Sequence, residues 1–151
     1  MKIRELTGID LPAVVSLERE IFKKEAWSVG QFKEELAGMP LTRYYVIAED
    51  DSNNLIGYGG IAQGAPNFEA DIHTLAVAEN ARRKGVGRAI MSELEKWAID
   101  RKANEIFLEM RTSNIEAKPL YESLGYKVIS TRKNYYGSGI DAYVMQKEVK
   151  L

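Results

Sequence analysis

Two glycines and four cations lie together in Arg82-Arg83-Lys84-Gly85-Val86-Gly87-Arg88-Ala89, a combination that suits a diphosphate. Glycines spaced by one residue let successive backbone amides turn toward one point with no side chain in the way. The stretch stands between an apolar run ending at Val77 and a helix-period pattern. A helix start there adds free amides and the positive end of its dipole. Arg82, Arg83, Lys84 and Arg88 crowd the same turn. The same residues would also make a glycine-rich helix start with a solvated basic collar, because short glycine motifs are weak signals. Neither G-x-x-x-x-G-K-S/T nor G-x-G-x-x-G is satisfied, which counts against nucleotide hydrolysis and dinucleotide binding. The chain holds no cysteine, so disulfides, zinc–thiolate sites and a cysteine nucleophile are excluded.

The elements that must position this turn can be read from periodicity. With 151 residues, the length fits one ordinary domain that buries roughly 70% of its unfolded surface. Hydrophobic residues make up 45% and charged residues 28%, a globular composition. Lysine and arginine number 21 against 22 acids, so no general affinity for nucleic acid follows and phosphate attraction must be local. Met1 to Leu6 alternate polar and apolar as a strand does, unlike a signal peptide, and no apolar run approaches a membrane span. A soluble cytoplasmic protein is expected.

Asp10 is the expected N-cap of a first helix, with Pro12 early in it and Val14, Leu17, Ile21 and Phe22 at helical spacing. Ser28 opens a second helix carrying Phe32 and Leu36. Strands follow over Arg43–Glu49 and Leu55–Ala62, joined by a turn at 50–54. Gly57, Gly59 and Gly60 in the second of these suggest a bulge or a close approach by another group. A strand over Phe68–Val77 and a helix from about Gly85 to Arg101 bracket the basic turn. Glu105–Met110 reads as a strand and Asn114–Leu124 as a helix stopped by Gly125, with strands over Tyr126–Arg132 and Ile140–Glu148 closing the chain. The order β-α-α-β-β-β-α-β-α-β-β describes a mixed α/β domain with both hairpins and crossovers.

At this point the chain resembles the GNAT superfamily of N-acetyltransferases, whose acetyl-CoA motif is Q/R-x-x-G-x-G/A. Arg82, Gly85 and Gly87 fill it. Leu108-Glu109-Met110-Arg111-Thr112-Ser113-Asn114 and Leu120-Tyr121-Glu122-Ser123-Leu124-Gly125-Tyr126 look like the second half of that signature. Asn134-Tyr135-Tyr136 and Asp141-Ala142-Tyr143-Val144-Met145 look more narrowly like the RimI/Ard1 branch of N-terminal acetyltransferases. The likeness covers nearly the whole chain. It implies the GNAT fold, one domain over residues 1–151 with a central, mostly antiparallel mixed sheet flanked by helices. Acetyl-CoA is then the co-substrate, with no metal, and the acetyl group passes directly to the α-amine of a protein N-terminus in a ternary complex. The bacterial branch suggests a ribosomal protein as acceptor. One copy or a homodimer would serve.

Amide formation requires the amine to lose a proton, the thioester carbonyl to be polarised and the thiolate to be protonated. The resemblance assigns the base to Glu109, which shares a strand face with Phe107 and Arg111 by alternation; a salt-bridged strand glutamate is the plain alternative. Partial burial would raise its pKa, with Arg111 opposing. The acid is Tyr121, otherwise an ordinary core tyrosine beside Leu120 and Leu124. Backbone groups of Leu75, Ala76 and Val77 would pair with pantetheine and the thioester oxygen. Val86, Gly87, Arg88 and Ala89 open the helix over the diphosphate. Asn114 is a coenzyme contact that also begins a capping box, Ser113-Asn114-Ile115-Glu116. Asp71 and His73, read as sharing the strand face of Leu75, are substrate-side groups: Asp71 an alternative base, His73 a group that titrates near neutral pH or is simply structural.

On the acceptor side, Ala26-Trp27-Ser28 resembles the proline-tryptophan-serine segment of RimI-like enzymes, with Ala26 in place of proline. Trp27, with Tyr135 and Tyr136 in the loop between the last strands, would wall a peptide groove. Pro119 departs from the family pattern and is expected to shift or bend its helix. Acetylation of a lysine side chain or a small amine, and a non-catalytic acyl-CoA-binding module, are the competing functions.

Overall fold

The computed structural model describes residues 1–149. Its strands are β1 (Lys2–Glu5), β2 (Arg43–Glu49), β3 (Leu55–Gln63), β4 (Ala70–Val77), β5 (Glu105–Arg111), β6 (Lys127–Gly137) and β7 (Ile140–Glu148). Its α-helices are α1 (Leu11–Phe22), α2 (Val29–Ala37), α3 (Val86–Asp100) and α4 (Ala117–Ser123). The element order is the one the periodicity predicts. The strands form one sheet in the order β1-β2-β3-β4-β5-β7-β6. Every pairing is antiparallel except β4 with β5. This is the mostly antiparallel mixed sheet flanked by helices that the resemblance implies.

Helices cover both faces, and two cores result. Ile90, Met91, Leu94 and Ala98 of α3 pack with Ile72, Ile106, Leu108, Met110 and Tyr121 on one face. Leu11, Val14, Val15 and Leu17 of α1 join Phe32 of α2, Tyr45, Ile47 and Tyr58 on the other. The glycines of β3 serve both expected purposes. A Cβ on Gly59 would lie 2.6 Å from Cγ2 of Ile90, and one on Gly60 would enter the Tyr45 ring. The register of β3 on β4 also breaks there: Gly60 faces Thr74 while Ile61 faces Ile72, leaving His73 as an extra residue in β4. Such a bulge bends the strand and re-aims its side chains.

Ser28 caps α2 as expected, accepting from the Gln31 amide at 3.2 Å while Gln31 Oε1 accepts from the Ser28 amide at 2.8 Å. Asp10 takes the expected N-cap position of α1, with Pro12 in the first turn, but its side chain makes no cap bond: the carboxylate accepts from the Thr7 amide at 2.9 Å and binds both terminal nitrogens of Arg4. One expected helix start is corrected. The capping box at Ser113 does not form, and α4 begins at Ala117, later than the pattern suggested. Pro119 is the cause. Starting there places it in the first turn, where its missing N–H has no helical acceptor to lose. Tyr135 and Tyr136 lie on the irregular end of β6 rather than in a loop, because Gly137 already pairs with Ile140.

Candidate active site

Strands β4 and β5 pair only at Ala70 with Ile106 and Asp71 with Phe107. Beyond that point they diverge, so the β4 edge facing β5 has no strand partner from Ile72 to Val77. The opening lies at the middle of the sheet, with α3 and α4 on one face and α1 and α2 on the other. By alternation the backbone groups of Leu75 and Val77 face this opening, while the Ala76 carbonyl lies on the β3 side. Arg82 Nε donates to the Val77 carbonyl at 3.2 Å.

At the α3 end of this slot the basic turn is wound as a cradle. Arg83 and Gly85 both have positive φ, 63° and 82°, and Gly85 is the helix N-cap with no side-chain cap. The intrahelical ladder starts with the Ala89 amide on the Gly85 carbonyl at 3.0 Å, which leaves the amides of Val86, Gly87 and Arg88 for an anion. Gly87 is the tight point: a Cβ there would lie 3.1 Å from Cδ2 of Leu120 and 3.7 Å from Cγ2 of Val77. The four cations divide their labour. Arg83 and Lys84 are exposed, and Arg82 also lies 3.8 Å from Glu116. Arg88 donates to Ser123 Oγ at 2.7 Å, fastening α3 to α4.

On the opposite face Glu109 is 31% exposed and lies 3.5 Å from Arg132. Arg111 does not face it as a partner; it pairs with Glu25 at 3.0 Å. The two arginines carry the tyrosines of β6, Arg132 over Tyr135 at 4.4 Å and Arg111 over Tyr136 at 5.1 Å. Burial pushes the Tyr136 hydroxyl up to about 12, with Tyr135 and Glu109 adding to the effect and Arg111 opposing it. Tyr121, 8% exposed, has its pKa raised by burial and then by the proximity of Tyr136. Glu109 and Tyr121 both couple electrostatically to Tyr136.

The chain belongs to the acetyltransferase (GNAT) family. The model of that family matches residues 11–126. A Mycobacterium leprae protein of unknown role is 38% identical over 152 residues, covering 98% of this chain but only 41% of that protein. The N-alpha-acetyltransferase RimI of Mycobacterium tuberculosis is 33% identical over 150 residues, covering 97% of this chain and 91% of the relative. Among solved structures, the ribosomal-protein-S18-alanine N-acetyltransferase of Escherichia coli superposes with a TM-score of 0.85 at 26% identity, over 99% of this chain and 94% of that one.

Within this GNAT frame, Asp71 and His73 depart from expectation. They do not share the face of Leu75, because the bulge at His73 reverses the alternation. Leu75 packs with the α3 core, whereas His73 meets Glu35 of α2. Solvent reaches Asp71, yet partial burial of its carboxyl raises the pKa; His73 opposes this and Glu109 reinforces it. Asn114 is exposed and accepts from the Ala117 amide at 3.2 Å, which is its capping role. Trp27 stands beside His73, lining a pocket of about 170 Å³ with Gln31, Glu34 and Glu35.

Two carboxylates escaped the sequence reading. Glu35 accepts from His73 Nδ1 at 2.5 Å, Tyr45 Oη at 2.6 Å and Arg43 Nε at 2.9 Å. Burial works against its ionisation, but these three bonds prevail and hold the carboxyl down at about 2. Glu18 is 2% exposed and accepts from Tyr58 Oη at 2.5 Å and from the Trp27 amide at 2.9 Å. Burial raises its pKa while those two bonds oppose the rise. The available signal was periodicity: Glu18 follows Val14 by four residues and Glu35 follows Phe32 by three, so each is a carboxylate on an apolar helix face. Among the described residues no group of three or more His, Cys, Asp or Glu side chains is placed to hold a metal ion.

Proposed function

We propose that this chain, acting as one domain, transfers the acetyl group of acetyl-CoA to the α-amine of a protein N-terminus, and that it does so in the cytoplasm. The observation that carries the reading is the slot between β4 and β5, with an anion cradle at one mouth and acidic and aromatic side chains at the other. The amides of Val86, Gly87 and Arg88, with Arg83 and Lys84, bind the diphosphate. Freed backbone groups at Leu75 to Val77 orient the pantetheine arm and polarise the thioester carbonyl. Glu109, through a water, takes a proton from the amine, and Tyr121 gives one to the departing sulfur. Trp27, Tyr135 and Tyr136 wall the acceptor, with Asp71 and His73 beside the amine.

Two comparisons support an N-terminal acceptor. A relative matching over nearly all of this chain carries the name N-alpha-acetyltransferase, and a structural neighbour carries that of a ribosomal-protein alanine N-acetyltransferase. A ribosomal protein N-terminus is accordingly the acceptor we favour. The test measures thiol release from acetyl-CoA with a panel of N-terminal peptides, a lysine peptide with its N-terminus blocked, and spermidine. Release is expected with unblocked peptides. Release with spermidine or the blocked peptide alone would move the function to small amines or lysines. Coenzyme binding with no release from any amine would leave only a binding module.

A further inference from the structure

A tyrosine that protonates a leaving sulfur must have its hydroxyl held in one place. Among the described residues no group bonds the Tyr121 hydroxyl, and that oxygen is not sealed from solvent. Its position is therefore set by where α4 lies. This helix has seven residues, and one so short is marginal on its own. Pro119 in its first turn supplies no amide. The placement of α4 must come from its neighbours.

Two adjacent residues of α3 provide it. Gly87 lets Leu120 come close, since a Cβ there would lie 3.1 Å from Cδ2 of Leu120. Arg88 donates from Nη2 to Ser123 Oγ at 2.7 Å, and that hydroxyl donates onward to the Leu120 carbonyl at 2.7 Å. Leu120 and Ser123 stand one residue before and two residues after Tyr121, so one turn of α3 grips α4 on both sides of the tyrosine. A charged donor makes the stronger and more directional kind of hydrogen bond. A hydroxyl that accepts from it and gives to a carbonyl passes the polarisation along. The contact of Arg82 with Glu116, at 3.8 Å between two exposed side chains, adds little to this grip.

We propose that Arg88, acting through Ser123, positions Tyr121 for proton donation to the leaving sulfur, and that the Arg88 side chain is not a phosphate ligand. Both residues are positioning residues, and their role rests on the acetyl-transfer reading above. As the C–S bond breaks, its electron pair goes to sulfur, which takes the phenol's proton. The proton released by the amine then returns the phenolate to phenol through water. The Arg88 amide, which has no helical acceptor, remains free for the diphosphate. One residue thus meets the coenzyme through its backbone and α4 through its guanidinium. Seating the donor and aiming the acid use the same turn.

Thiol release with an N-terminal peptide tests this in the wild-type protein, Ser123→Ala, Ser123→Thr and Arg88→Met, and in Ser123→Ala combined with Tyr121→Phe. Calorimetric titration gives the Kd for coenzyme A, and thermal melts confirm folding. Ser123→Ala is expected to lower kcat about fivefold, the worth of one hydrogen bond. The loss grows if the hydroxyl moves, because a displacement of about 1 Å can cost about 10²-fold. KM for the peptide and Kd for coenzyme A should stay near wild type. Ser123→Thr keeps the hydroxyl and should restore most of the rate. Arg88→Met should repeat the loss in kcat with little change in Kd, whereas loss of a phosphate ligand would weaken binding roughly tenfold or more. With Phe at position 121 there is no acid left to aim, so Ser123→Ala should cost nothing further. A hydrogen bond that serves only stability would cost the same in both backgrounds. Equal losses in the two, wild-type kcat in Ser123→Ala, or a tenfold weaker Kd in Arg88→Met would overturn the proposal and leave acetyl transfer standing. A wild-type protein inactive with every peptide would instead overturn both.

Discussion

Replacing Gly87 by Glu tests the cradle most directly, because its effects on helix and ligand have opposite signs. Gly87 is the second residue of α3, where a carboxylate interacts favourably with the helix dipole by about 0.3–1 kcal/mol. Any residue with a Cβ also gains up to about 1 kcal/mol of helix propensity over glycine. Against this, the new Cβ sits 3.1 Å from the end of the Leu120 side chain, so Leu120 must yield by a few tenths of an ångström. The unliganded variant should thus melt within a few degrees of wild type. A bound diphosphate meets the opposite situation. One carboxylate within about 5 Å of one phosphate charge, at an effective dielectric near 20, is repelled by about 3 kcal/mol, or about two orders of magnitude in Kd. Gly87→Gln shares the bulk without the charge, so the Glu-to-Gln ratio isolates the electrostatic part, and added salt should narrow it. Calorimetric titration with coenzyme A reads both variants. Equal affinities for Glu and Gln, in proteins that melt normally, would mean that no diphosphate lies at this turn.

Three further outcomes are expected. Glu109→Gln should lower kcat by about 10²–10³ with the coenzyme Kd unchanged; unaltered rates across pH would remove Glu109 as the base. Tyr121→Phe should slow transfer by roughly one order of magnitude or more, read by thiol release under saturating peptide; unchanged turnover would make Tyr121 a packing residue only. Glu35 carries a pH signature in stability. Its carboxyl is at about 2 in the folded protein against an ordinary glutamate value of 4.5, so the unfolded chain binds the proton more readily. Its stabilisation is complete above about 4.5 and fades as pH falls toward 2. Discounted for the solvent that reaches it, that amounts to about 2 kcal/mol. Denaturant melts of Glu35→Gln should show this deficit at pH 7 and little at pH 2.5; a constant deficit would place the effect in packing.

The reach of sequence reading here follows from what each signal measures. Element order was legible because Val86, Ile90 and Leu94 or Ile106, Leu108 and Met110 repeat with the period of their structures, and burial of one face demands that period. Ser28 was legible as a cap because its partner Gln31 is local. Asp10 stands at the N-cap as the pattern indicates, but the use of its carboxylate was not legible, because Arg4 grips it with two nitrogens. The face of His73 was misjudged for a similar reason. Strict alternation holds only in an unbroken ladder, and the bulge depends on how β3 and β4 register, which no short window of sequence records. Ion-pair partners were the least legible of all. Arg111 follows Glu109 on one strand face, yet Glu25, which is distant in the chain, takes it and leaves Glu109 to Arg132.

The bulge joins the two halves of the site. By adding one residue, β4 turns Leu75 toward the α3 core and Ala76 toward the α1 core; together with the two-residue pairing to β5, this leaves its outer edge free for a ligand's amides. The same residue carries the imidazole that meets α2. A strand that ran straight would pair further with β5, closing the slot and burying the histidine position or sending it to the other face. Helices α1 and α2 are tied to the sheet by two tyrosine–carboxylate bonds, Tyr58 to Glu18 at 2.5 Å and Tyr45 to Glu35 at 2.6 Å. Hydrogen bonds of this kind fix position and direction more narrowly than apolar contact does. Glu18 also holds the Trp27 amide, so the register of α1 sets where Trp27 stands in the pocket it shares with His73. Opening, imidazole and wall are therefore fixed by β3 and its neighbours, and the side chains at the slot owe their convergence to distortion of the sheet as much as to their own types.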